Sequence, residues 1–160
     1  MSLEEKIALP HSLKKRLVTL QRPWVMTNGV FDVLHRGHVS YLHRAAELGA
    51  SLIVAINTDH STRALGKGPE RPLNCEGDRA YVLAGLESVD LVTFFDAPTP
   101  VKLVKEIRPD IYVKGGDYDM ETLEETQVVR SWGGESISLH FVDGFSTTAL
   151  FKRIQKPVAS

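Results

Sequence analysis

Ser51-Leu52-Ile53-Val54-Ala55-Ile56 is apolar at every position after the first. A half-buried strand alternates polar with apolar, because successive side chains point to opposite faces. A run without that alternation has no face to offer water. It reads as a strand of a parallel sheet covered on both sides. Parallel neighbours need crossover connections, so this run predicts a chain of right-handed β-α-β units.

The remaining residues supply such units. Trp24-Val25-Met26 and residues 89–95, 110–113 and 136–142 read as further strands. Helices are expected over 39–48, 59–65, 78–86, 100–107 and 121–132, and from Ser146 onward. Val39, Leu42 and Ala46 recur at helical spacing, and Gly49 and Gly133-Gly134 supply helix stops. The expectation is an α/β fold: a Rossmann-like parallel five-stranded sheet with helices on both faces. Residues 1–22 read as a leader carrying a short amphipathic helix over 12–20. Residues 23–160 read as one domain.

Composition narrows the partners. The 160 residues are enough for a core, and 42% hydrophobic with 24% charged content is that of a globular chain. A net charge of -1 gives no basic field for nucleic acid. The single cysteine, Cys75, excludes an internal disulfide framework, fits a reducing cytosol, and reads as a small buried or half-buried residue. No apolar run approaches a membrane span, and the acidic start lacks the pattern of a signal peptide. A cytoplasmic protein with small-molecule partners, no nucleic acid and no membrane is expected.

The most informative loop is Thr27-Asn28-Gly29-Val30-Phe31-Asp32-Val33-Leu34-His35-Arg36-Gly37-His38. It leads from a strand into an amphipathic helix. Unpaired N–H groups and the helix dipole make such a start a site for anions. Gly29 lets a ligand approach the backbone. His35 and His38, three apart, share one face of the first turn. Two imidazole donors there suit phosphate oxygens whose charge grows in a transition state. Two histidines without a third ligand nearby do not make a structural zinc site, and no protein metal site is expected. His11, His43, His60 and His140 have no such context and read as surface or core residues.

This segment resembles the signature of the nucleotidyltransferase superfamily that contains glycerol-3-phosphate cytidylyltransferase and pantetheine-phosphate adenylyltransferase. Within it the chain is most similar to the bacterial heptose 1-phosphate adenylyltransferases. The resemblance runs in order from about Val25 to the last helix. It includes Gly68-Pro69-Glu70-Arg71-Pro72-Leu73-Asn74, Val113-Lys114-Gly115-Gly116-Asp117-Tyr118 and Gly144-Phe145-Ser146-Thr147-Thr148.

The resemblance implies transfer of AMP from ATP, with Mg2+, to a heptose 1-phosphate. ADP-heptose and pyrophosphate form, for lipopolysaccharide core synthesis. It implies catalytic roles for His35, His38 and Lys67. It implies nucleotide contacts from Asn28, Gly29, Val30, Phe31, His35, His38, Lys114, Gly115, Asp117, Ser146, Thr147 and Thr148. Arg71 falls to the sugar phosphate, and Asp32 and Arg79 join it as substrate-side candidates. Asp32 could hold a divalent metal or fix the loop; Arg79 matches a basic position of related cytidylyltransferases or is structural. Val30 stands where a Cys is common. Phe95-Asp96-Ala97-Pro98 replaces a stretch that usually carries two acids, which bears on the acceptor pocket. A homodimer is implied, and a separate kinase chain is expected to supply the 1-phosphate. Two alternatives stay open: a cytidylyltransferase for an alditol or alcohol phosphate, and an ATP-binding module without catalysis.

Overall fold

The computed structural model describes residues 1–157. Its centre is a parallel sheet of six strands: β1 (Ile7–Ala8), β2 (Trp24–Gly29), β3 (Ser51–Asn57), β4 (Leu91–Phe95), β5 (Ile111–Gly115) and β6 (Glu135–Leu139). Their spatial order is β1-β4-β3-β2-β5-β6. The chain therefore winds outward from β2 in one direction and then returns to β5 on its other side. That reversal leaves a crevice at the carboxyl ends of β2 and β5, where such sheets bind ligands.

The sheet has one strand more than the five expected. The extra strand comes from the leader. Ile7 and Ala8 pair with Val92 and Thr93 of β4, and the Thr93 hydroxyl donates to Ala8 O at 3.0 Å. Two residues are too few to show a period in sequence, so only the exposed edge of β4 defines them as strand.

Strand alternation sorts the core into two layers. Met26, Ile53, Phe95 and Tyr112 face one side. There they pack with α1 (Leu13–Leu17), α5 (Val101–Ile107) and α6 (Glu124–Arg130) through Leu13, Leu17, Val104, Ile107 and Val129. Val25, Val54, Ile56 and Val113 face the other side. That layer holds α2 (Arg36–Ala46) and α4 (Glu76–Ala84), through Tyr41, Leu42, Ala45, Ala80 and Leu83. All seven residues of β3 are buried, as its unbroken apolar run requires. Leu52, Ile53, Val54 and Ile56 each contribute roughly 1.5–3 kcal/mol by leaving water. Two further helices, α3 (Asp59–Ala64) and α7 (Thr147–Ile154), follow β3 and β6.

Several boundaries differ from expectation. The leader helix spans five residues rather than the longer stretch over 12–20. The helix expected over 121–132 is divided: a 3-10 turn at Met120–Thr122 is followed by α6. Leu123 between them is extended, with φ -84° and ψ 131°. An unbroken periodic pattern cannot reveal such a break, and its effect is to turn the start of α6 toward the crevice. Cys75, read as buried or half-buried, is exposed at the start of α4.

Candidate active site

The crevice is a cleft of about 910 Å³. Its walls include Asn28, Gly29, Val30, Phe31, Asp32 and His38 from the first motif, Lys67 and Arg71 from the Gly/Pro loop, Lys114 and Gly115 from the end of β5, and Thr147 and Thr148 from α7. Four motifs far apart in sequence thus meet in one place. His35 stands directly behind His38, and their rings stack at 3.9 Å between centroids.

The helix start sets the state of both imidazoles. His35 is the N-cap of α2, and its Nδ1 accepts from the Gly37 N–H at 3.1 Å. His38 Nδ1 accepts from the His35 N–H at 3.4 Å. A ring nitrogen that accepts a backbone proton carries none, so in each neutral ring the proton is on Nε2. Burial pushes the His38 pKa down to about 4, and the neighbouring His35 adds to that shift. Burial also lowers His35. Both rings are therefore neutral donors at physiological pH, held in one tautomer by backbone amides. Phe31 supports His38 edge-on at 5.4 Å.

Gly37 is required for this arrangement. A Cβ there would lie 2.9 Å from the His35 ring and 3.1 Å from Phe145 Cβ. At the far wall, a Cβ on Gly115 would lie 2.6 Å from the Phe141 ring. The space that glycine leaves at Gly115 is thus filled by the chain's own aromatic ring.

The second helix start is docked onto the first motif. Ser146 caps α7 by accepting from the Ala149 N–H at 3.0 Å, and the Thr147 hydroxyl donates to Val33 O at 3.2 Å. Two helix openings thus converge on the same cleft, one through His38 and one through Thr147 and Thr148. Ser146 itself acts on the helix rather than on the cleft wall.

The Gly/Pro loop is tied down by Asp32. Its carboxylate accepts from the Leu73 and Asn74 N–H groups, both at 2.9 Å, and faces the Arg71 guanidinium at 3.6 Å. With both oxygens occupied, Asp32 fits the loop-fixing role of the two open to it. Arg71 also lies 3.9 Å above the Phe151 ring of α7. Lys67 completes the loop's contribution to the cleft.

Besides His35 and Ser146, two further expected contacts are not brought to the cleft wall. Arg79 is 2% exposed and wholly engaged with protein. It pairs with Asp59 at 2.7 Å and donates to Val30 O at 2.7 Å and Asn74 O at 3.0 Å. It acts as a tie joining α3, the first motif and the Gly/Pro loop, which fits the structural alternative. Asp117 points away and pairs with His140 at 2.7 Å.

Other cleft residues carried no sequence signal of their own. The Tyr112 hydroxyl donates to Asn28 Oδ1 at 2.5 Å, so Asn28 is oriented from the neighbouring strand β5. Burial raises the Tyr112 pKa, then Glu125, Tyr41 and Tyr118, which keeps that hydroxyl protonated. Tyr41 is pushed up to about 12 by burial and bonds to the Thr27 hydroxyl. Asn57, Phe95 and Glu125 complete the side nearest α5 and α6. A lone Tyr or Glu in a helical or strand pattern looks like packing or a solvated face, and only register places these in the cleft.

Known proteins of similar sequence and shape define the family. A cytidylyltransferase-like family model matches residues 26–153. A D-beta-D-heptose 1-phosphate adenylyltransferase from Bordetella bronchiseptica is 59% identical over 86% of this chain and 85% of its own length. The bifunctional protein HldE of Cronobacter sakazakii is 54% identical over 82% of this chain, which spans only 28% of that longer protein. A lipopolysaccharide core biosynthesis protein from Thermoplasma volcanium superposes with a TM-score of 0.62 at 30% identity, over 74% of this chain and 95% of that one. With its motifs gathered at one cleft and a relative of its own size at 59% identity, the chain belongs to the cytidylyltransferase-like family and is a nucleotidyltransferase.

Proposed function

We propose that the protein transfers AMP from ATP to D-glycero-beta-D-manno-heptose 1-phosphate, giving ADP-heptose and pyrophosphate for the lipopolysaccharide core. The observation that carries this reading is the convergence of the stacked histidines and two helix openings on one cleft. A phosphate oxygen of the sugar attacks the α-phosphorus in line. The bond to the β-phosphate oxygen breaks, and pyrophosphate leaves with the electron pair. The attacking phosphate is already an anion, so no general base is needed. Catalysis is alignment and charge stabilisation.

The chain's residues divide this work. His38 donates from Nε2 to oxygens whose charge grows in the transition state, with His35 stacked behind it. Thr147, Thr148 and the α7 opening hold the phosphates, and Lys67 and Arg71 bring positive charge from the loop. Phe31, Gly29, Val30 and Gly115 shape the nucleotide side. Mg2+ bound to the triphosphate would neutralise part of its charge. It fits as the nucleotide's own counter-ion, because no group of three acidic, His or Cys side chains among the described residues could hold it.

The working unit is read as a homodimer, supported by apolar Tyr81 and Val82 on α4, 49% and 54% exposed. The exposed free Cys75 suits a cytoplasmic setting. No helix among the described residues is long and apolar enough to cross a membrane.

The test is pyrophosphate release with heptose 1-phosphate and Mg2+, comparing ATP with CTP across a panel of sugar and alditol phosphates. ATP-dependent release with the heptose phosphate is expected. A strong preference for CTP would end the adenylyl reading. Tight ATP binding without release for any acceptor would make the protein a binding module.

A further inference from the structure

Glu125 is a buried carboxylate of the cleft that the phosphate reading does not use. It is 5% exposed, lines the cleft, and accepts no hydrogen bond from any described residue. Its oxygens are not sealed from solvent: they open onto the cleft and are free to accept hydrogen bonds from a ligand. The extended Leu123 is what brings it there, by restarting the helix against the cleft.

Its surroundings point to the kind of donor. Strand alternation puts Asn28, Asn57, Phe95 and Lys114 on the same side of the sheet as Tyr112, the side covered by α5 and α6. Tyr112 occupies Asn28 Oδ1, which leaves the Asn28 amide N–H groups without a described partner. Asn57 donates to the Ser61 hydroxyl, and its carbonyl oxygen has no partner among the described residues. Lys114 is close enough to Glu125 that the carboxylate supports its ammonium, against the burial that lowers it most and the further lowering by Lys67. Donors and acceptors therefore alternate around one lobe, beside the flat face of Phe95. Such a wall suits a polyhydroxylated ring, whose hydroxyls both give and accept.

The reaction geometry selects which ring. In-line displacement puts the attacking and leaving oxygens on opposite sides of the α-phosphorus. The helix openings of α2 and α7 define the phosphate-leaving side. The acceptor therefore comes from across β2, toward α5 and α6. An unpaired carboxylate there repels phosphate oxygens and admits hydroxyls.

We propose that Glu125 is a specificity-determining residue for the acceptor, accepting hydrogen bonds from ring hydroxyls of the sugar 1-phosphate. This rests on the sugar-phosphate adenylyltransferase reading above. Glu125→Gln keeps the shape and removes one acceptor oxygen. It is expected to raise the KM for heptose 1-phosphate about tenfold or more, with the KM for ATP unchanged and the melting temperature close to that of the parent. A matching rise in the KM for ATP instead would assign the carboxylate to the ribose or the adenine amine and overturn the proposal. No change in either KM would also overturn it.

A second measurement needs no variant. With the unaltered protein, heptose 1-phosphates lacking one ring hydroxyl at a time are compared. At least one is expected to lose about 10²-fold or more in kcat/KM, because a site built to bond a hydroxyl rejects its absence. Equal turnover of all the deoxy analogues would overturn the role of Glu125 while leaving the activity intact. Failure of the unaltered protein to turn over any sugar 1-phosphate would instead overturn the reading beneath it.

Discussion

His35 and His38 stack with their ring centroids 3.9 Å apart and their planes 25° from parallel. The contact puts two neutral imidazoles at one helix opening, each with Nδ1 held by a backbone N–H. Only Nε2 is left to meet a ligand. A cation pair at that spacing would repel, so the stack and the lowered pKa values belong together.

His38→Ala should lower kcat by about 10²–10³-fold with a much smaller change in ATP affinity, as for loss of a donor that acts in the transition state. Single-turnover kinetics beside ATP titration measures both. An unchanged kcat would remove His38 from the mechanism.

Gly37→Ala leaves every imidazole in place in the sequence and still disturbs the site. The new Cβ meets the His35 ring at 2.9 Å, so the ring must swing away from the helix opening. The expected outcome is a loss of kcat of about tenfold or more with a folded protein, seen as altered His35 and His38 ring resonances in NMR spectra. Parent-like resonances and rates would show that the ring packing is dispensable.

The pH dependence follows from burial of His38. Its folded pKa of about 4 lies below the ordinary 6.5. Between those values the unfolded chain takes up a proton that the folded chain refuses. Stability from this group is therefore present above about pH 6.5 and lost as pH falls toward 4. Denaturant midpoints at pH 7 and pH 5 should differ by less in His38→Ala than in the parent. NMR titration should find no His38 transition near pH 6.5; a transition there would contradict the neutral-donor role.

Arg79→Ala should destabilise the fold by about 3–5 kcal/mol, because it strands Asp59 and two backbone carbonyls around a fully buried guanidinium site. Arg79→Lys should not restore stability, since an ammonium cannot reach three separate partners in a fork. Denaturation of both variants checks this. A parent-like midpoint for Arg79→Lys would show that charge alone suffices.

Much of the site was legible because its parts are local. A helix opening with histidines at its cap is a property of Thr27 to His38, and the Ser146 cap belongs to Ser146 to Ala149. The parallel sheet was legible because β3 has no polar face. The strand Ile7–Ala8 was not, since its partner lies about 85 positions away in β4. The direction of Asp117 was not legible for a related reason: a glycine turn does not say which way its last residue points, and in the structure it pairs with His140. Arg79 kept two readings, substrate-side or structural, because sequence cannot distinguish a cation facing a cleft from one sealed beneath it.

The sequence by itself determined the strand-helix alternation, the helix openings and the kinds of group available to bind phosphate. These depend on neighbours within a turn or two of chain, where period, caps and glycines act. The tertiary structure alone decided that Glu125 faces the cleft, that Asp32 holds the Gly/Pro loop, and that Tyr112 orients Asn28. The last two relations join residues 41 to 84 positions apart, and only packing across the sheet brings them within hydrogen-bond reach.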